Sequence, residues 1–476
     1  MTDAFGTTAS SATDPYSPQL RTALVLTGTG TGGAYHAGVL RALHEAGVKL
    51  DIVAGRGIGV VGALYAAIDG AQRLWDEKGF WRSRFVRSLY GWRTAPRLVA
   101  GAVALSLLIV AVPLLAIALG LVVFPIDFVL KMVGVTSASG LTGAYLRFAQ
   151  AAFAPEALPT WLPRLVVLVL GAVGVMLAAT GWRGLRGRRS RGAFWWRMVK
   201  PPLSAADTAD HCWRVMWDLV RGATRLKQPA PVDLGRRYTE MLADNLGQPG
   251  FCELLIAVHD LDVHRDLVFA LVSESRRRDL FRRPTTEAAD ARRAEVFDLA
   301  GMGRDHLTDA VSAALAIPLA SDVHMVTFAP DSYWRGETHR VCDRPGSLVR
   351  LLEELVDLGV KQIILVSAAP ESRGPHELKA PPLDGRGRLG DYLQSAEAAA
   401  VRDATRMASA RVPRMFVIQP PHNPVGPFDF DGGFDDRSQR RQPLGELMSR
   451  GYEDAYRQFI EPVVGASGDR VGQGVP

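Results

Sequence analysis

The sequence predicts a three-layer α/β/α protein, with a sheet that is covered by helices on both faces and interrupted by a two-helix transmembrane insertion. Near the N-terminus, two short apolar strands each lead through a glycine turn into a helix. Later in the chain, further apolar strands alternate with helices, which is typical of a parallel or mixed sheet. Between these parts lies Leu98 to Phe124, an uncharged apolar run that is long enough to cross a bilayer.

Apolar periodicity and turn residues locate the individual elements. The predicted strands are Thr22–Thr27, Leu50–Ala54, Glu253–Val258, Leu267–Val272 and Gln362–Ser367. The predicted helices are Gly33–Ala46, Val60–Asp69, Asp305–Ala316, Leu348–Leu358 and a C-terminal helix over Leu444–Phe459. The apolar stripe of the C-terminal helix indicates that it docks on the core or, alternatively, that it contacts a membrane surface beside several arginines.

We divide the chain of 476 residues into five segments. They are a disordered lead at 1–21, a first α/β part at 22–93, a membrane hairpin with basic flanks at 94–200, a second α/β part at 201–400 and a C-terminal region at 401–476. The lead is polar and lacks the pattern of a signal peptide, so we expect the first structured segment to lie in the cytoplasm.

The chain has three cysteines, which are Cys212, Cys252 and Cys342. Their spacing matches neither a metal site nor a CxxC motif, and an odd count argues against a disulfide framework. They are typical of buried thiols in a reducing compartment. We therefore expect no metal and no cofactor.

Two uncharged runs predict a membrane hairpin. Leu98 to Phe124 has 27 residues and Leu165 to Trp182 has 18, against the roughly 20 that cross about 30 Å of hydrocarbon. The alternative is a pair of buried core helices. Since neither run has a charge at its centre, we expect an anchor rather than a transport path.

Basic residues flank the hairpin on both sides, and neither flank contains an acidic residue. The twelve are Arg82, Arg84, Arg87, Arg93, Arg97, Arg183, Arg186, Arg188, Arg189, Arg191, Arg197 and Lys200. Because they exceed the net charge of +6, the basic character of the chain indicates a membrane and not a nucleic-acid partner. The positive-inside rule predicts a multi-pass protein of the cytoplasmic membrane, with both flanks and the α/β part in the cytoplasm. The connection Ser137–Pro163 is expected outside, and Trp92, Trp161, Trp182, Trp195 and Trp196 are expected at the interfaces.

The most informative turn is Gly55-Arg56-Gly57-Ile58-Gly59, between the second strand and its helix. This is the layout of a nucleophile elbow, GxSxG, in which a strained turn exposes a serine hydroxyl above a sheet. Gly55 and Gly59 are the flanking glycines that allow close packing. The nucleophile position itself is Gly57, so the hydroxyl is missing.

A second glycine turn, Thr27 to Gly33, follows the first strand. Gly28, Gly30 and Gly33 satisfy GxGxxG, which allows a dinucleotide site, but the acidic residue at about the right distance, Asp51, stands at the wrong end of its strand. The second interpretation is a plain tight turn that binds no ligand. The third interpretation is an oxyanion hole, formed by backbone amides of Gly28, Thr29, Gly30 and Gly33 facing residue 57.

In the order of these pieces the chain resembles the patatin-like phospholipase family, which has a glycine-rich oxyanion loop, a GxSxG elbow and a distant DGG or DGA aspartate. Leu24–Leu43 resembles the first strand, loop and helix of the family, Val53–Gly70 its elbow, and Leu254–Val272 its central hairpin. Trp334–Leu348 resembles the segment of the catalytic aspartate, which falls on Asp343. The resemblance implies a Ser/Asp dyad that hydrolyses lipid esters.

The chain departs from the family pattern at positions that would take part in catalysis. The basic residue of the oxyanion loop is replaced by Gly32 and its middle glycine by Thr29. The aspartate motif has become Asp343-Arg-Pro, and a later Asp431-Gly-Gly is the second candidate for the family aspartate. Without a hydroxyl at residue 57 no acyl-enzyme can form there.

Three functional hypotheses follow. The first is a membrane-anchored scaffold of the lipid acyl hydrolase type that is impaired or inactive and binds membrane lipid or fatty acyl groups in the old cleft. The second is an active hydrolase in which Asp343 activates a water, or in which Thr29 or Thr31 supplies the hydroxyl. The third is a nucleotide-binding regulator that uses the loop from Gly28 to Gly33. His36 and His44, on the first helix, are expected at solvated or core-edge positions, and the oligomeric state stays open.

Overall fold

The structure is a computed structural model. It describes residues 15–134, 139–152, 154, 158–186, 201–222, 224, 226–281, 294–371 and 384–465. The chain divides into two compact units. One is the inserted unit, Trp92–Pro202, and the other, the sheet unit, comprises the parts of the chain before and after it. The lead predicted at 1–21 falls largely outside the described residues.

The sheet unit contains the strands and most of the helices. The strands of its main sheet are β1 (Thr22–Thr27), β2 (Ile52–Gly55), β3 (Glu253–Asp260), β4 (Arg265–Leu271), β5 (Val296–Asp298), β6 (His324–Thr327), β7 (Thr338–Cys342), β8 (Gln362–Ser367) and β9 (Arg414–Ile418). Two short strands, β10 (Gly433–Asp435) and β11 (Arg440–Gln442), form a separate hairpin.

The helices of the sheet unit lie between these strands and after the last of them. Before the insertion they are α1 (Gly32–Glu45), α2 (Gly59–Ala66) and α3 (Gln72–Trp75). After it come α7 (Ala206–Val220), α8 (Pro231–Asn245), α9 (Glu274–Phe281), α10 (Leu307–Leu315), α11 (Ser347–Asp357), α12 (Gly385–Ser409) and α13 (Leu444–Ala455). Short 3₁₀ turns cover Phe80–Arg82, Arg84–Ser88 and Arg304–His306, and a π-helical turn, Tyr456–Val464, continues α13.

The main sheet is mixed. In the described residues its strand order is β5-β4-β3-β2-β1-β8-β9, with β7 paired to β3 and β6. Parallel pairing joins β3, β2, β1, β8 and β9, so the carboxyl ends of these strands share one edge. The predicted hairpin of β3 and β4 is antiparallel, as expected. The loops after β1 and β2 therefore lie side by side at one edge of the sheet.

Two separate hydrophobic cores lie on opposite faces of the sheet, because alternate residues of each strand point to opposite sides. Leu24 and Leu26 of β1 pack in the core with α1, α2, α10 and α13. Ala23 and Val25 pack in the core with α11 and the second half of α12. The three-layer α/β/α prediction is confirmed. The C-terminal helix docks on α1, where Tyr35 donates a hydrogen bond of 3.0 Å to Asp454.

The inserted unit is helical. It contains α4 (Thr94–Met132), α5 (Ser139–Ala152) and α6 (Leu158–Arg186). In the described part of the chain one helix is long and apolar enough to cross a membrane, over Arg97–Met132, whereas the apolar stretch of α6, Arg164–Ala179, is shorter. Much of the basic flank after α6, with Trp195 and Trp196, lies outside the described residues.

The helix α5 was not predicted, because Ser137–Pro163 was expected to be a connection between the two membrane spans. It packs against α4 within the inserted unit. Tyr145 donates a hydrogen bond of 2.9 Å to the carbonyl of Ala116, and a Cβ atom built on Gly120 would lie 2.5 Å from the hydroxyl of Tyr145. A small residue in α4 therefore allows this close packing.

Candidate active site

The turn between β2 and α2 has the geometry of an elbow. Gly57 has φ +55°, in the left-handed region that such a strained turn requires. The flanking glycines are required by close packing, since a Cβ atom on Gly55 would lie 2.8 Å from Cα of Val60 and one on Gly59 would overlap the carbonyl of Leu26. The backbone of the elbow is thus retained without its serine.

Asp343 is brought directly to the elbow. A Cβ atom built on Gly57 would lie 3.0 Å from Oδ2 of Asp343, and the Gly57 amide faces the same carboxylate. Asp343 follows β7, and its own amide donates to the carbonyl of Ala316 at 2.8 Å. Asp431 lies on the surface, where it pairs with Arg87 at 3.2 Å. Of the two candidates, the structure places Asp343 beside residue 57.

Arg56 occupies the centre of the site and its side chain is completely buried. Its NH1 donates to Oδ1 and Oδ2 of Asp343 at 2.7 and 2.9 Å. Its NH2 pairs with Glu397 of α12, and Glu397 accepts a hydrogen bond of 2.6 Å from the hydroxyl of Thr27. We call Arg56, Asp343 and Glu397 the buried triad. Neither Arg56 nor Glu397 was predicted as a site residue, although a lone arginine between an apolar strand and a helix was an available signal for Arg56.

The buried triad limits Asp343 as a base. Burial raises the pKa of Asp343 above its ordinary value, and the guanidinium of Arg56 opposes this rise without cancelling it. A general base must reach the proton that it accepts. Because both carboxylate oxygens face Arg56, Asp343 is held as the partner of a cation rather than left free to accept a proton.

The loop after β1 closes the space where an oxyanion would lie. In an elbow, the amide that follows the nucleophile is an oxyanion donor. Here that amide, of Ile58, donates to the carbonyl of Gly28 at 3.0 Å. A Cβ atom on Gly57 would overlap the same carbonyl oxygen. The loop therefore binds to the elbow in place of a substrate.

A segment of the C-terminal region holds this loop in place. The amide of Thr31 donates to the carbonyl of Pro427 at 2.9 Å, and its hydroxyl donates to the carbonyl of Gly426 at 2.8 Å. Gly30 has φ +55°, and a Cβ atom there would overlap the carbonyl of Pro427. Gly33 is equally restricted, because a Cβ atom on it would overlap the ring of Trp81.

The space that remains beside the loop is small. A cavity of about 20 Å³ lies between Gly28, Thr29, Ala368, Glu397 and Asn423. A volume of about 10 to 15 Å³ holds one water molecule. This cavity therefore has room for a water molecule and none for an acyl chain.

His36 is buried beneath the loop, so the expectation of a solvated or core-edge position is wrong for it, whereas His44 is largely exposed. The Nε2 atom of His36 donates to the carbonyl of Thr27 at 3.0 Å. Burial lowers the pKa of His36 from 6.5 to about 4. The ring is therefore neutral at physiological pH and acts as a structural support of the loop.

This pKa predicts a pH-dependent stability. The folded-state pKa of His36 lies below its unfolded value, so its contribution is complete above pH 6.5 and is lost as the pH falls through 4. We expect the free energy of unfolding to fall by about 3 kcal/mol over this window. Urea unfolding of the wild type and of His36→Gln, which keeps a donor but does not titrate, measures the difference. Equal pH slopes for the two proteins would contradict the assignment.

A family model described as patatin-like phospholipase matches residues 24–357, which is more than half of the chain. The chain belongs to the patatin-like phospholipase family. Curated relatives match over a short stretch. Patatin-like phospholipase domain-containing protein 6 of Mus musculus and of Homo sapiens is 56% identical over 52 residues, which are 11% of this chain and 4% of that protein. A Caenorhabditis elegans relative, patatin-like phospholipase domain-containing protein ZK370.4, is 59% identical over 44 residues, or 9% of this chain and 3% of that protein.

These matches thus span only a small fraction of the length of the curated relatives. Among solved structures, VipD from Legionella pneumophila aligns with 94% of this chain and 67% of its own, at 13% identity and a TM-score of 0.30. The family assignment rests on the family model, and it supports a scaffold of the lipid hydrolase type.

Proposed function

We propose that this chain is a membrane-anchored patatin-fold protein that does not hydrolyse lipid esters. The observation that carries the proposal is the pairing at the elbow: residue 57 has no hydroxyl, and the aspartate beside it is bound by Arg56 through both oxygens. A dyad needs a nucleophile and a base in contact. Here the nucleophile is missing, and the base, Asp343, is bound to Arg56.

The rewired hydrolase is less well supported. Its water would have to approach Asp343, whose side chain is almost completely buried and accepts two hydrogen bonds from Arg56. The hydroxyl of Thr31 is bound to the carbonyl of Gly426 at 2.8 Å, so it is not free as a nucleophile. Thr29 lines the cavity of about 20 Å³, and this cavity is too small for an ester substrate.

The nucleotide hypothesis also conflicts with the contacts. Gly30 lies against the carbonyl of Pro427, where a pyrophosphate would have to approach the loop. Asp51 accepts a hydrogen bond of 2.9 Å from the amide of Thr22 and pairs with Lys49 at 3.2 Å, at the opposite end of β2. These contacts give Asp51 a structural role.

The proposed contact with lipid is through the inserted unit. α4 is long and apolar enough to span a bilayer, and the sequence from Arg82 to Arg97 contains five arginines and no acidic residue. We propose that α4 and α6 both cross the cytoplasmic membrane and that the sheet unit lies on the cytoplasmic side, as the positive flanks favour. The closed cleft argues against acyl binding at the old active site in this conformation.

Purified full-length protein in lipid nanodiscs tests the chemistry. We expect no release of fatty acid from the disc lipids above empty discs, no turnover of a soluble p-nitrophenyl ester, and no covalent labelling by a fluorophosphonate. The control variant is Asp343→Asn, which removes the only carboxylate beside residue 57 in the described part of the site. Turnover by the wild type that Asp343→Asn abolishes would overturn the proposal.

A further inference from the structure

The two points where the chain leaves and re-enters the sheet unit are adjacent on its surface. The amide of Ser204 donates to the carbonyl of Gly91 at 3.0 Å. The amide of Leu203 donates to the carbonyl of Ala320 at 2.9 Å, so the turn before Ala320 lies beside the same crossing. The 3₁₀ turns from Phe80 to Ser88 are joined to this area as well, since the hydroxyl of Ser83 lies 3.2 Å from Nε2 of His211 in α7.

This area exposes an aromatic ring among arginines. Phe85 is 55% exposed, and the guanidinium of Arg214 lies over its ring at 5.0 Å. Arg82 and Arg84, which precede Phe85 in the sequence, are exposed as well. α7 also exposes Asp207 and Asp210, which offset the charge of its Arg214. The excess positive charge of this area therefore comes from Arg82 and Arg84, in the turns that precede the insertion.

A strained leucine adds an independent observation. Leu319 has φ +69° and is 81% exposed. A branched residue in the left-handed region costs free energy, and such strain persists at positions with a functional reason. Burial does not compensate the strain of Leu319, because its side chain projects into solvent next to the crossing point.

We propose that Arg82, Arg84, Phe85, Arg214 and Leu319 form a seating face that binds the headgroup layer of a bilayer rich in anionic phospholipids. Guanidinium groups bind lipid phosphates, and each basic residue near an anionic surface raises the affinity by about fivefold. An aromatic ring and a projecting leucine are suited to the boundary between headgroups and acyl chains. The inference rests on the proposed anchoring and adds to it the lipid class and the surface of the sheet unit that faces it.

A spin label at residue 319 tests the seating face in the full-length protein. All three native cysteines are buried, so Leu319→Cys is labelled selectively. Tyr392→Cys, on α12 and likewise exposed, is the control position. The protein is reconstituted in nanodiscs of phosphatidylcholine, with and without one third phosphatidylglycerol, and the accessibility of the label to a water-soluble nickel complex is measured.

In anionic discs we expect the label at 319 to be at least threefold less accessible than the label at 392. The double variant Arg82→Glu and Arg84→Glu is expected to abolish this protection. Protein that enters the discs but shows equal accessibility at both positions overturns the seating face and leaves the anchoring intact. Protection that is unchanged in neutral discs and in the double variant overturns the anionic lipid class. Failure of the protein to enter discs overturns the anchoring and the seating face together.

Discussion

Replacing Arg56 by methionine is expected to lower the free energy of unfolding by about 3 to 5 kcal/mol. Arg56 is completely buried between Asp343 and Glu397, and it is the cation that faces both carboxylates. Removing it leaves two carboxyl groups out of water without their partner, and the cost of an uncompensated buried charge greatly exceeds the loss of one hydrogen bond. Burial already raises the pKa of Asp343 with Arg56 present.

Urea unfolding in detergent, followed by tryptophan fluorescence, measures this effect. The matched control is Arg236→Met, because Arg236 also forms a pair of 2.8 Å with an aspartate, Asp305, but at the surface, where loss of an ion pair is expected to have only a small effect. The triple variant Arg56→Met, Asp343→Asn and Glu397→Gln removes all three charges and is expected to recover most of the loss. A cost for Arg56→Met as small as that for Arg236→Met would show that the buried triad is not held by its charges.

The sequence was sufficient to predict the strands that are buried on both faces of the sheet. Thr22–Thr27 and Gln362–Ser367 were predicted with the bounds that the structure has, because central parallel strands have continuous apolar sequences. β7 was not predicted, since three of its five residues are Thr, His and Arg and give no clear period. β9 was not predicted either, although four apolar residues follow its Arg414. Asp343 was identified through the resemblance to the family rather than through any property of its own sequence.

The contacts that close the site could not be predicted from the sequence. Arg56 and Glu397 are more than three hundred residues apart, and Glu397 lies on α12, after the stretch that the family model matches. The contact of Gly28 with Ile58 depends on the orientation of one peptide group, with φ +139° at Gly28, which a glycine-rich sequence permits but does not dictate.

The C-terminal region has a larger part in the site than the sequence suggested. It supplies Gly426 and Pro427 to the glycine loop, and α12 supplies Glu397 to the buried triad. Both lie beyond residue 357, where the family match ends. The absence of a hydroxyl at residue 57 is therefore accompanied by contacts from outside the matched region, which fill the space around the elbow. Because the hydroxyl is missing and these contacts also fill the space around residue 57, we do not expect a serine at this position to restore the site by itself.

Gly57→Ser is expected to leave the protein almost unreactive towards a fluorophosphonate. The new Cβ atom overlaps the carbonyl of Gly28, so the loop must shift before the side chain fits. Even then Asp343 stays bound to Arg56, and the absence of a general base typically costs about 10²- to 10⁴-fold in rate. The labelling rate, measured by gel fluorescence, should therefore remain at least about a hundredfold below that of an active Ser/Asp hydrolase assayed in parallel.

Releasing Asp343 should raise that rate. In the variant Gly57→Ser, Arg56→Met and Glu397→Gln, Asp343 is the one remaining ionisable group of the triad, 3.0 Å from the position of the serine Cβ atom. Loss of Arg56 removes the group that lowers the pKa of Asp343, so the labelling is measured up to a pH at which Asp343 is ionised. There we expect the labelling rate to exceed that of Gly57→Ser by about a hundredfold, within the range of general-base catalysis. The same background with alanine at residue 57 has the Cβ atom without the hydroxyl and should not be labelled, and unfolding midpoints establish that each variant is folded. If Gly57→Ser alone reacted as fast as the triple variant, Arg56 would not restrain Asp343, and the absent hydroxyl would be the sole reason for the proposed inactivity towards esters.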